Sequence, residues 1–113
     1  MGYPMNNDTP AVATTNSYVA VWKRQLGSTS SLIMRIQETG ETNDILYKIV
    51  ASNVVDGTDD PDTSVELKAE ATIAAGTEAA PQYLSNPWVE VAVYAKSAAP
   101  DTPGEITVTV GGK

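Results

Sequence analysis

The ten residues WVEVAVYAKS, 88–97, constrain the fold more than any other stretch. Val89, Val91, Val93 and Ala95 fall on one side of an extended chain, and Trp88, Glu90, Ala92, Tyr94 and Lys96 on the other. Period-2 alternation with β-branched residues is the pattern of a strand lying on a core. Leaving the valines in water would forfeit about 1.5–3 kcal/mol each, so their side must be covered. Glu90 and Lys96 mark the other side as at least partly wet. The spacing predicts a central strand.

The same alternation recurs along the chain. In residues 17–26, SYVAVWKRQL, Val19 and Val21 oppose Tyr18, Ala20 and Trp22. In 32–38, LIMRIQE, Leu32, Met34 and Ile36 face in and Arg35 and Gln37 out; Ile33 breaks the pattern, which suggests an interface or a place near a sheet edge. Residues 45–53, ILYKIVASN, are apolar on both sides, as an interior strand would be. Residues 64–73, SVELKAEATI, contain good helix formers, but Val65, Leu67, Ala69, Ala71 and Ile73 alternate strictly with Glu66, Lys68, Glu70 and Thr72, which favours a strand. Residues 105–110, EITVTV, place Ile106, Val108 and Val110 inward, with a tail from Gly111. Tyr83 and Leu84 suggest a short edge strand, and Asn86-Pro87 forces an extended entry into the strand of Trp88. Turn-forming clusters separate these segments. Residues 1–16, with Pro4 and Pro10, read as an extended arm, which if ordered must lie on its own domain or on a neighbouring subunit. The expected fold is all-β, an antiparallel β-sandwich (jelly-roll or Ig-like) of about 6–8 strands over residues 17–113.

Composition narrows the functions. At 113 residues, 42% of them hydrophobic, the chain suits one domain with one core. It has neither Cys nor His. Disulfides, thiolate chemistry and the usual Ser–His triad are therefore excluded, and the commonest general base and metal ligand are missing. A net charge of −7 repels phosphate backbones and anionic bilayers, so no nucleic-acid or membrane partner is expected. No apolar run approaches the ~18 residues of a membrane-spanning helix, and no basic-then-apolar start marks a signal peptide.

Two groups of side chains invite a functional reading. The loop VVDGTDDPDT, 54–63, holds Asp56, Asp59, Asp60 and Asp62. Calcium takes roughly six to eight oxygen ligands, which clustered Asp can begin to supply. The spacing departs from the EF-hand pattern and Pro61 stiffens the loop, so a solvated connection is the simpler expectation and calcium the alternative. The second group is aromatic: Tyr18, Trp22, Trp88 and Tyr94 fall on the outward phase of their strands. Exposed together, with Tyr83, they would make a contact patch or a sugar-stacking platform; otherwise they pack in a core or a subunit interface. Glu66, Glu70 and Glu90 could supply a carboxylate pair for glycoside hydrolysis, but nothing in the pattern marks them as buried in a cleft. No catalytic residue and no cofactor is expected.

The run ILYKIVASN, the acidic loop, the ATIAAGTE turn, NPWVEVAVYAKS and the ending PGEITVTVGGK together resemble small β-sandwich structural proteins of phages and prophages, in particular capsid decoration (cement) proteins and related head or tail accessory proteins. The resemblance covers residues 30–113. It implies a non-enzymatic, oligomeric virion component, made in the host cytoplasm and held on the capsid surface, where it clamps subunits of the major capsid protein. Clamping by an arm, through strand addition or across a seam, would suit residues 1–16. The candidate interface residues are then Tyr3, Pro4, Met5, Tyr18, Trp22, Trp88 and Tyr94. A tail or fibre subunit and a carbohydrate-binding or adhesion module are the alternatives.

Overall fold

A strand with one apolar face buries its backbone as well, and lateral pairing is what satisfies the N–H and C=O groups. The computed structural model describes residues 5–26, 31–84 and 88–112, with the side chains of 11–26, 31–84 and 88–111. Among these residues it has eight strands: β1 (Met5–Ala13), β2 (Val19–Gln25), β3 (Leu32–Glu38), β4 (Ile45–Ser52), β5 (Ser64–Ile73), β6 (Gln82–Leu84), β7 (Glu90–Ser97) and β8 (Glu105–Gly112). They form two four-stranded sheets, β1-β8-β3-β6 and β2-β7-β4-β5. Every pairing is antiparallel. This is the expected β-sandwich, and the one helical turn among the described residues is a 3-10 turn at Gly57–Asp59. The pairing is nested: β1 joins β8, β2 joins β7, β3 joins β6 and β4 joins β5, and successive pairs alternate between the sheets.

The core lies between the sheets where the alternation predicts it. Leu32, Met34 and Ile36 of β3 and Ile106, Val108 and Val110 of β8 meet Ile45, Tyr47 and Ile49 of β4 and Val91, Val93 and Ala95 of β7. β7 is central in its sheet, flanked by β2 and β4. Tyr83 and Leu84 do lie in a short edge strand, β6.

Four features depart from the sequence reading. Most of the polar segment read as an arm is β1, the edge strand against β8; its irregular register, shifted between Asn7 and Thr9 and between Thr9 and Val12, accommodates Pro10 at an edge. The segment thus lies on its own domain. In β2, a bulge between Ala20 and Trp22 reverses the phase of everything after it. In β5, two register shifts break the alternation, so Ile73 is buried while Val65 and Ala69 are exposed. Fourth, β8 continues through the expected tail to Gly112. Ile33, by contrast, sits near a sheet edge as expected, half-buried on the outer face beside Tyr83 of the edge strand β6.

Each edge strand is blunted against further pairing. β1 and β5 carry register shifts, β2 a bulge and exposed Lys23, and β6 is three residues long.

Candidate functional site

The outer face of the β2-β7-β4-β5 sheet carries most of the candidate residues. Antiparallel pairing sets Ser52 beside Glu90, Val50 beside Ala92, Lys48 beside Tyr94 and Leu46 beside Lys96. The alternation marks this side as wet, yet Glu90 is 0% exposed, and Val50, Ala92 and Ser52 are buried with it. The cover is the acidic loop 54–63, which folds back over the sheet as a strap.

Glu90 is the strap's anchor. Its carboxylate accepts the backbone N–H of Asp56 (3.1 Å), the backbone N–H of Thr58 (3.3 Å) and the Thr58 hydroxyl. Asp56 adopts the left-handed region (φ 58°), a conformation Asp tolerates better than most residues. Gly57 lies so close that a Cβ there would collide with Ser52 Oγ and Val54 Cγ2. The Ser52 hydroxyl donates to Thr63 O (2.9 Å) and accepts from Val54 N–H (3.1 Å), closing the base of the strap. At its crest, Asp59 bonds to Lys23 and to the Tyr94 hydroxyl, and these partners hold its carboxyl below the ordinary value. Burial first, and then the bond to Asp59, push the Tyr94 hydroxyl up to about 12.

Next to the strap, two lysines and two tyrosines interleave. The Lys48 ammonium lies 4.6 Å from the centre of the Tyr18 ring and 5.9 Å from that of Tyr94; Lys96 lies 5.0 Å from Tyr18. These are cation–π distances. The Tyr18 hydroxyl donates to Glu70, and burial followed by that bond raises it well above the usual phenol range. Between strap and sheet lies an open groove of about 340 Å³, lined by Lys48, Val50, Thr58, Asp59, Pro61, Ser64, Glu66 and Tyr94.

A second buried carboxylate closes the opposite end of the sandwich. Glu38, the last residue of β3, is 0% exposed. It accepts four backbone N–H bonds: Gly40 (3.0 Å) and Glu105 (2.8 Å) on Oε2, Glu41 (2.7 Å) and Gly76 (2.8 Å) on Oε1. Burial works to raise its pKa, but the donors from Glu105, Gly76, Glu41 and Gly40 outweigh it and hold the carboxyl below its ordinary value.

The residues singled out in the sequence are thus separated. Tyr18 and Tyr94 stay on the outer face. Trp22 is in the core, 5% exposed, because the β2 bulge places it opposite Val93. Trp88 precedes β7, half-buried against the core, and Tyr83 stands 68% exposed on the other sheet. No shared aromatic platform forms. Tyr3 and Pro4 lie outside the described residues; Met5 opens β1, opposite Gly111. The four aspartates do not converge: Asp59 faces Lys23 and Tyr94, and Asp60 Oδ1 accepts the Asp62 N–H (2.8 Å). Among the described residues no group of three or more acidic side chains could hold a metal ion. Glu66 and Glu70 stay exposed on β5 while Glu90 is spent on the strap, so these three glutamates do not form the pair considered from the sequence. Sequence reasoning missed Glu38, though one signal was there: it continues the inward phase of Leu32, Met34 and Ile36.

No family model matches the chain, and no curated protein matches it in sequence. Solved structures share its fold. The crystal structure of the SPBc2 prophage-derived protein YomS has a TM-score of 0.55 at 9% identity, covering 99% of this chain and 94% of that one. A chain in the structure of infectious bursal disease virus Gx strain has a TM-score of 0.52 at 9% identity; the match covers 96% of this chain and 32% of the viral one. The crystal structure of PirA has a TM-score of 0.53 at 9% identity, covering 92% of each chain. At such identities the likeness concerns the fold.

Proposed function

We propose that the protein is a non-enzymatic virion subunit, specifically a capsid decoration protein that binds the outside of an assembled shell as a homo-oligomer, with the major capsid protein as its partner. The fold carries this reading. Nested pairs alternating between two four-stranded sheets build a double-sheet sandwich, the architecture to which the jelly rolls of viral capsid domains also belong. Two of the structures with a similar fold come from a prophage and a virus, the first matching along nearly its whole length. The charge of −7 suits an outer surface better than one facing packaged DNA.

The blunted edges speak for contact through sheet faces rather than strand addition. On the outer face of the sheet that holds β3 and β6, exposed Tyr83 stands beside half-buried Ile33. Co-sedimentation with purified shells and, separately, tail tubes from one source tests the proposal. Saturable, stoichiometric pelleting with shells is expected. Pelleting with tubes alone would make the protein a tail or fibre subunit, and pelleting with neither would overturn the virion reading.

A further inference from the structure

The groove beneath the strap has a chemistry that virion assembly does not require. Lys23 and Arg35 are held in ion pairs with Asp59 and Glu78. Lys48 and Lys96 make no ion pair with any described carboxylate; tyrosine rings fix them instead, and both ammonium groups gather around Tyr18. A ring steadies an ammonium without neutralising its charge, so the pair can receive an anion. Lys48 also lines the groove, whose other walls differ in kind. Glu66 and Ser64 present oxygen atoms that accept hydrogen bonds, while Pro61 and the Tyr94 ring are apolar. Asp59 and Glu66 would repel a ligand bearing several negative charges.

We propose that this groove binds a carboxylated sugar unit, a uronic acid or its like. The sugar carboxylate meets Lys48, with Lys96 behind it; its hydroxyls donate to Glu66 and Ser64; its C–H face rests on Tyr94 and Pro61. The groove volume of about 340 Å³ falls at the small end of ligand-binding clefts. An open groove leaves much of the ligand in water, so affinity is on the order of 1 mM. The site is independent of the shell-binding proposal and could serve to hold an acidic surface polysaccharide.

The test is an NMR titration of the ¹⁵N-labelled protein with sodium glucuronate at constant ionic strength, with glucose, acetate and an Asp-rich peptide in parallel. Saturable shifts centred on Lys48, Ser64 and Tyr94 are expected with glucuronate and not with the others. Lys48→Gln should weaken binding by about tenfold and Lys96→Gln by about threefold, with spectra otherwise unchanged. Equal binding of acetate would reduce the site to a bare carboxylate contact. Tighter binding of the peptide would assign it to an acidic protein partner. Shifts that do not saturate, or that lie elsewhere, would remove the site. Each of these three results overturns the proposal.

Discussion

Glu38 and Glu90 are both glutamates with no exposed surface, and they secure the two regions of the sandwich in different ways. Glu38 gathers donors from three separate connections: the β3–β4 turn, the turn after β5 and the start of β8. All are backbone N–H groups in part-buried bonds at one end of the fold. Glu90 gathers its donors from one strap. If Glu90 fails, the strap can lift and hydrate. If Glu38 fails, three connections lose their common acceptor at once. The lesson is that a buried carboxylate matters according to how many independent segments depend on it, since unmade buried bonds cost more than made bonds contribute.

Replacing Glu38 breaks the comparison most sharply. In Glu38→Gln, whichever way the amide turns, its NH₂ faces two backbone donors. Two part-buried N–H groups lose their acceptor, at a cost toward the lower end of about 2–6 kcal/mol by denaturant unfolding. The effect of pH follows from the depressed pKa. The folded carboxyl titrates below its ordinary value of 4.5, so its stabilisation is complete above that value and is lost as pH falls through the folded value. The stability gap between wild type and Glu38→Gln should therefore be widest near neutrality and shrink in acid.

Glu90→Gln sharpens the contrast. One amide orientation preserves both bonds from Thr58 and strands only the Asp56 N–H, so the expected loss is smaller, about 1–3 kcal/mol. Hydrogen exchange should accelerate at Asp56 and Thr58 while the amides of β3 and β8 stay protected. Lys23→Ala removes the half-exposed pair with Asp59 at the strap's crest. Solvent screening limits its effect to a few tenths of a kcal/mol, diminishing with added salt.

How far the sequence exposes this architecture depends on whether the determinant is local. β3, β4, β7 and β8 are legible because each buries one alternating face, and Val91, Val93, Ile106 and Val108 lie where their period puts them. β1 is not legible, because an edge strand needs no apolar alternation and admits Pro10. Trp22 misleads because one bulge residue reverses the phase, and no local pattern marks that bulge. Glu90 misleads because its cover comes from a loop some thirty residues away in the chain. Tyr18 and Tyr94 are correctly outward, but their lysine partners come from β4 and β7 and emerge only once the strands pair.

The central claim concerns what the protein does to a shell. Anything that binds the assembled state and not its free subunits stabilises it by mass action. The deciding measurement is the melting temperature of purified shells, by differential scanning calorimetry, with and without saturating protein. The account predicts a rise of several degrees that levels off at a fixed number of copies per shell. An unchanged melting temperature at saturating protein would contradict it.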